Sequence, residues 1–222
     1  MKVGLLSLVV ASVLGACGRP PAVEVGTPAA PPAAAVVALA ESVDADDTAA
    51  LVRRVLATRD HGGRTFAVID KREAQLHVFA ADGAAIGSAP VLLGHAIGDD
   101  SVPGIGTKAI ADIRPEERTT PAGRFATAPG RNADGHSVVW LDYDEGLSMH
   151  VVIRGEKGER RLQRLASDDP AEHRISWGCV NLPAAFFRDV VKPAFAEAGG
   201  IVYVLPETRP LATAFPALFA RE

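Results

Sequence analysis

The sequence predicts a mainly β domain with a few helices. Short runs in which apolar and polar residues alternate recur between residues 65 and 205, which is the period-two pattern of half-buried strands. Gly and Pro punctuate the stretches between those runs, and the few segments with helical spacing are all short. The chain has 222 residues, 48% of them apolar and 23% charged, enough for one ordinary domain with flanking segments and a proper core. Its formal charge of −4 is spread over well-mixed acids and bases. No basic run marks a nucleic-acid surface, and no nucleic-acid partner is expected.

Taken in order, SVDADDTAALVRRVLATRD sets Leu51, Val52, Val55 and Leu56 on one face behind Ser and Asp capping residues, predicting a helical lead-in over 42–60. TFAVID (65–70) and QLHVFA (75–80) read as strands around the charged KREA, and AIGSAPVLLG as a further extended run after the ADG turn. Residues 95–125 are Gly- and Pro-rich and read as long loops. In them Asp99 and Asp100, like RPEER (114–118), read first as solvated charges, with contact to a substrate amine as the functional alternative for the two aspartates. SVVWLDY (137–143) and LSMHVVI (147–153) form a strand pair, ERRLQRLA a short helix, PAAFFRDVVKPAF a helix starting at Pro183, and IVYVL (201–205) a closing strand. The main domain is bounded at 61–206, with 207–222 as a C-terminal tail.

The N-terminus predicts export. MKVGLLSLVVASVLGAC (1–17) has one basic residue, an apolar run from Val3 to Leu14 and small residues before Cys17, too short and unflanked for a membrane span. Leu14-Gly15-Ala16-Cys17 resembles a bacterial lipoprotein cleavage box, which implies that Cys17 becomes a lipid-bearing N-terminus anchored to a membrane; ordinary signal cleavage is the alternative. The Ala/Pro-rich segment 18–41 is a semi-stiff tether by composition. The expected location is therefore the periplasm or cell envelope.

With Cys17 acylated, Cys179 is the one remaining thiol of only two cysteines, and an odd thiol in an exported chain points to intermolecular pairing or reactivity. Cys179 lies in HRISWGCVNLP, just ahead of the helix expected at Pro183. A nearby helix N-terminus favours thiolate, and the Gly178 and Cys179 amides are placed to bind an oxyanion. The same residue also fits a buried structural cysteine. Of six histidines, His150 in an apolar strand is the one held rigidly, whereas His173 in DDPAEHR reads as solvated. A zinc site from His150, His173 and Cys179 matches no metal-ligand spacing, so no metal and no cofactor are expected.

Several segments taken together resemble the L,D-transpeptidase catalytic domain, the YkuD-like cysteine enzymes of the bacterial cell wall. VIDKREAQLHVFAADGAAIGSAPVLLG (68–94) is similar to the family's opening hairpin, and TTPAGRF (119–125) to its Thr-Pro-x-Gly-x-Phe element. MHVVI places His150 where the family has its catalytic histidine, and SWGCVN (176–181) resembles its Ser-His-Gly-Cys-hydrophobic-Asn signature. The resemblance covers residues 64–206 and implies a β-sandwich of mixed sheets. It also implies Cys179 as nucleophile, His150 as its base and the Val151 carbonyl as the group that orients the base, with Ser176, Trp177 and Asn181 shaping the cleft. Two departures stand out: Trp177 replaces the family histidine, and the segment 154–174 between base and nucleophile is enlarged, in the manner of a lid. The implied reaction is acyl transfer on peptidoglycan stem peptides through a thioester. The alternatives are a hydrolytic member (amidase or L,D-carboxypeptidase) or a catalytically weak wall-binding lipoprotein.

Overall fold

The computed structural model describes residues 47–220. The expected signal, the lipid-bearing Cys17, the tether and the first residues of the lead-in lie outside them. Helix α1 (Asp47–Thr58) buries Leu51 and Val55 completely, the face predicted by its spacing. The strands are β1 (Phe66–Asp70), β2 (Gln75–Phe79), β3 (Ala85–Pro90), β4 (Leu93–Gly94), β5 (Gly123–Ala126), β6 (Ala128–Arg131), β7 (Ser137–Asp142), β8 (Leu147–Val151), β9 (Arg174–Ser176), β10 (Val180–Leu182) and β11 (Ile201–Val204). They form a five-stranded sheet in the order β3-β2-β1-β11-β5, a four-stranded sheet β10-β8-β7-β6, and the pair β4-β9. The pairings β1·β11, β8·β10 and β4·β9 are parallel and the others antiparallel, so the sheets are mixed.

Alternation along the two central strands explains the layering. Ala67 and Ile69 of β1 and Val202 and Val204 of β11 face the four-stranded sheet and pack with Val139, Leu141, Met149, Val180 and Leu182. Their neighbours Phe66, Val68, Ile201 and Tyr203 point the other way, against Leu51 and Val55 of α1. Strands covered on both faces read as continuous apolar runs, and FAVID and IVYV do. The outer layer is completed by α5 (Leu211–Ala214) and α6 (Pro216–Phe219), through Leu211, Phe215 and Leu218. The last described residues are thus built into a core rather than trailing from it.

Between these layers, α2 (Arg161–Leu165) precedes β9, and after β10 a helical segment begins at Ala184, with Pro183 as its cap. That segment runs as α3 (Ala184–Phe186), a π-helical turn (Phe187–Val191) and α4 (Lys192–Ala194). Pro193 has no N–H to donate to the preceding turn, consistent with the irregular winding there. No helix among the described residues is long and apolar enough to cross a membrane. β5, β6, β9 and β10 are strands that the sequence pattern misses; they are three or four residues long, too short to show a period.

One loop expectation is overturned. Asp99 is not a solvated acid and does not face a substrate cleft: it is buried, and its carboxylate accepts from Lys71 Nζ at 2.8 Å, itself a buried ammonium. Lys71 also donates to the carbonyls of Gly98 and Thr120, at 2.5 and 3.0 Å. Asp99 further accepts from the amides of Glu207 and Thr208 and from the Thr208 hydroxyl. Glu207 pairs in turn with Arg174 at the start of β9. This cluster ties the loop before Thr120, the β1–β2 turn and the strand leading to Cys179 into one unit. Asp100 stays exposed and pairs with Arg209 at 2.8 Å.

Burial pushes the Asp99 carboxyl up, but the Lys71 ammonium, the Thr208 hydroxyl and the two amides outweigh it and hold it far below the usual carboxylate range. A depressed carboxylate stabilises the fold above the unfolded value of about 3.9 and loses that contribution as pH falls toward its folded value. Asp99→Asn leaves the buried Lys71 with only Glu207 among the described residues, 3.4 Å away and shared with Arg174, as counter-charge, and the expected loss is about 3 kcal/mol at pH 7. Thermal unfolding of the full chain checks this. The gap between wild type and variant should narrow as the pH is lowered below about 4.

Candidate active site

Two strands distant in sequence meet in a parallel ladder with Val180 opposite Met149, Asn181 opposite His150 and Leu182 opposite Val151. Because strand side chains alternate, the buried Leu147, Met149, Val180 and Leu182 fill the core. The intervening Ser148 and His150 on β8 lie on the opposite face, beside Asn181 on β10 and Cys179 immediately before it. Cys179 Sγ lies 3.4 Å from the Gly146 carbonyl and 3.7 Å from Ser148 Oγ. His150 Nδ1 donates to the Val151 carbonyl at 2.8 Å, and Nε2 sits 3.3 Å from Asn181 Nδ2. A carbonyl only accepts, so the Val151 contact puts the ring proton on Nδ1 and leaves a lone pair on Nε2.

Thiol and imidazole act on each other. Burial pushes the Cys179 thiol up, but the adjacent His150 ring, with Ser148, outweighs it and leaves the thiol below its ordinary value. For His150 burial pushes down, while Cys179 and the Val151 carbonyl push up more strongly against an opposing Arg161, so the ring lies above its ordinary value. The sulfur is half-buried rather than sealed. The source of this tuning differs from the sequence expectation: Cys179 does not stand at a helix N-terminus, since β10 and Pro183 come before the first helical residue, Ala184. The neighbouring imidazole takes the place of the helix dipole.

The loop before Cys179 is clamped from several sides. Ser176 is buried; its hydroxyl donates to the Cys179 carbonyl at 2.6 Å and accepts from Gly178 N at 3.1 Å. That occupies the Gly178 amide, so of the two amides expected to hold an oxyanion only that of Cys179 is left; Ser176 both lines the cavity, as Trp177 and Asn181 do, and clamps the loop. Thr120 is fully buried and its Oγ1 joins two segments, donating to the Gly178 carbonyl at 2.7 Å and accepting from Gly94 N at 2.8 Å. Gly178 has φ +125°, and a Cβ there would stand 2.8 Å from the Thr119 carbonyl oxygen, so no other residue fits without displacing that strand. Thr120 and Ser148 are site residues that the sequence reading passed over. Ser148 was findable, since it lies two residues before His150 and shares its strand face.

Cys179 and His150 both line an open cavity of about 480 Å³, walled by Ile105, Ile113, Trp177 and Arg161 among others. His150 and Ile153 also line a second cavity of about 410 Å³, on the side of His136 and Phe187. Trp177 is clamped flat under Arg118, whose guanidinium carbon lies 3.5 Å from the ring centroid, while Arg118 also donates to the Ile113 carbonyl at 3.2 and 3.0 Å. RPEER is therefore a solvated turn only at Arg114, Pro115 and Glu116, which are exposed. Its Glu117 is buried, and pairing with Lys108, 2.7 Å away, and Arg114 lowers its carboxyl to about 2.

The enlarged segment 154–174 is fastened rather than free. Leu165 is buried, and so is His173, whose ring nitrogens face the carbonyls of Val91 at 2.8 Å and Ser167 at 3.0 Å. This corrects the solvated reading of His173 and takes both its nitrogens away from any shared site with His150 and Cys179. Arg161, absent from the sequence expectation, is buried in the cavity wall and donates to Asn181 Oδ1 at 3.1 Å. Nothing local in ERRLQRLA distinguishes it from its exposed neighbours.

No protein-family model and no curated protein matches the chain. Among solved structures, it is similar to the catalytic domain of the L,D-transpeptidase of E. faecium, with 19% identity and a TM-score of 0.38 over 64% of this chain and 98% of that one. It is also similar to an L,D-transpeptidase from Mycobacterium smegmatis, at 16% identity and TM-score 0.37 over 64% of this chain and 58% of that one. A third is the helical cell shape determining protein Pgp2 from Campylobacter jejuni, at 14% identity and TM-score 0.43 over 66% and 49%. The chain thus spans about half the length of the longer proteins it matches.

The coupling of thiol and imidazole has a direct readout. Alkylation of Cys179 by iodoacetamide, followed against pH on the full chain, should show a midpoint below the value of about 8.5 for a free cysteine. In His150→Gln the upward push of burial is unopposed by the imidazole, so the midpoint should rise. Equal midpoints in the two proteins would show that the ring does not tune the sulfur.

Proposed function

We propose that the chain is a cysteine acyltransferase of the L,D-transpeptidase type, acting on the stem peptides of peptidoglycan. One observation carries this reading: a half-buried thiol and an imidazole with its lone pair on Nε2, brought together by the pairing of β8 with β10, line the same open cavity. The sequence resemblance supplies the substrate class.

In this mechanism His150 Nε2 takes the Cys179 proton, and the thiolate attacks the carbonyl carbon of an amide between an L-centre and a D-centre. The Cys179 amide is the donor nearest the oxyanion that forms. Collapse breaks the C–N bond, and the departing amine of the terminal D-residue takes the proton from His150, leaving a thioester. A second amine then attacks the thioester carbon and loses a proton to His150, and the sulfur leaves as thiolate and is reprotonated. If water attacks instead, the same residues make a hydrolase. Two cavities meeting at His150 favour transfer, since they give donor and acceptor chains separate approaches to one base. Trp177, pinned by Arg118, presents a flat apolar wall to the donor. Export by the signal at 1–17, with Cys17 lipid-bearing and the segment 18–41 as a tether, completes the reading by bringing the domain to the envelope.

Intact-mass analysis of the full chain with a thiol-reactive carbapenem should show one stable adduct that Cys179→Ala abolishes. With isolated muropeptides, Cys179→Ala or His150→Ala should lower turnover by on the order of 10³-fold or more. Crosslinked products establish transfer, and trimmed stems alone establish hydrolysis. Neither adduct nor product, with slow alkylation of Cys179, overturns the enzyme reading in favour of a wall-binding protein.

A further inference from the structure

The side chain of Asn181 has an amide whose oxygen and nitrogen are interchangeable in shape but not in chemistry, and its neighbours decide which end faces the base. Arg161 Nη1 lies 3.1 Å from one end, and a guanidinium only donates. That end is therefore the oxygen. The other end lies 3.3 Å from the Cys179 carbonyl, which only accepts, and 3.3 Å from His150 Nε2. Arg161 is itself held by Glu159, whose Oε2 accepts from Nε at 2.8 Å and whose Oε1 accepts from Nη2 at 3.3 Å. The relay Glu159–Arg161–Asn181 reaches the base from the enlarged segment, through a side chain that is only 7% exposed.

We propose that Arg161 is a positioning residue for the base: by donating to Asn181 Oδ1 it fixes the direction of that amide, so that an N–H faces His150 Nε2 and the imidazole is held with its proton on Nδ1 and its lone pair on the nitrogen beside the thiol. The Val151 carbonyl imposes the same tautomer from the other side of the ring. A consequence follows for proton transfer. Once Nε2 has taken the thiol proton, Asn181 offers it no acceptor, so the sulfur is the acceptor left to it until a leaving amine arrives. The guanidinium charge acts in the same sense, pushing His150 down. Its significance for catalysis rests on the acyl-transfer reading, but the tautomer itself does not.

Long-range ¹H–¹⁵N NMR of the full chain with labelled histidine rings reads the tautomer without substrate. At pH values above the ring's own midpoint, found by titration, the wild type should show an unprotonated Nε2 and a protonated Nδ1 on His150. Arg161→Met frees the amide to turn and removes the charge, so Nε2 should shift toward its protonated signature and the His150 midpoint should rise. Arg161→Lys, which still only donates, should restore the wild-type tautomer. Asn181→Asp, which presents an acceptor whatever Arg161 does, should protonate Nε2. The titrating or charged groups around His150 are Cys179, Arg161 with Glu159 behind it, Lys108, Glu117 and Glu145 in the wall of the first cavity, and His136 across the second; repeating the series in Cys179→Ser removes the titration of the thiol. The proposal is overturned by a wild-type ring protonated on Nε2, or by an Arg161→Met protein whose tautomer and midpoint are unchanged. It is equally overturned if Met and Lys at 161 behave alike. Should Arg161→Met fail to fold, the wild-type and Asn181→Asp spectra decide. A chain that makes no thioester would leave this result standing, and a wrong tautomer would leave the adduct experiment untouched.

Discussion

The site depends on one short parallel ladder, in which Asn181 pairs with His150 across a separation of 31 residues. A slip of one residue in that register would turn Cys179 and Asn181 into the core and bring Val180 and Leu182 out to the cavity. Register is held because Val180, Leu182, Leu147 and Met149 bury their side chains between the sheets, so hydrophobic packing on one face sets the chemistry on the other. β10 is only three residues long. Its position rests as much on the loop that leads into it as on its own hydrogen bonds.

That loop is held by buried polar groups rather than by apolar contact. Thr120, Ser176, Asn181, Lys71 and Asp99 are each at most 3% exposed; Ser176 closes the loop on itself through Gly178 and Cys179, and the other four find hydrogen-bond partners in distant segments. An unmade bond at any of them would cost about 1–3 kcal/mol, more for the charged pair. Such groups specify one arrangement because few alternatives satisfy them all. The result is a Cys179 loop pinned from several segments beneath an open cavity, the kind of preorganisation that the proposed covalent catalysis needs.

Trp177 and the enlarged segment, the two departures from the family pattern, have structural partners. The indole is stacked beneath Arg118, and the segment sends Arg161 to Asn181. An arginine takes part in each: Arg118 packs on the indole, and Arg161, in the cavity wall, on the amide beside His150. In both cases the guanidinium is satisfied by protein acceptors, Ile113 for Arg118 and Glu159 for Arg161, which makes these arginines parts of the scaffold more than free charges awaiting an anion.

What the sequence determined by itself was whatever local periodicity records. The alternation in QLHVF and LSMHV and the unbroken apolar runs FAVID and IVYV mark strands buried on one face or on both, and the spacing of Leu51 and Val55 marks a helix face, because burial of one face repeats every two or every 3.6 residues. His150 was visible as a reactive group set in a regular strand, and Cys179 as the one thiol left in the chain once Cys17 is read as part of the leader. Tertiary structure alone decided the rest. Neither the parallel pairing of β8 with β10 nor the burial of Asp99 against Lys71 is written in any window of neighbouring residues, and the same holds for His173 between two carbonyls and Arg161 at the amide of Asn181. A polar side chain looks alike in sequence whether water or a distant partner satisfies it. Only the folded chain, which removes the water, shows which partner that is.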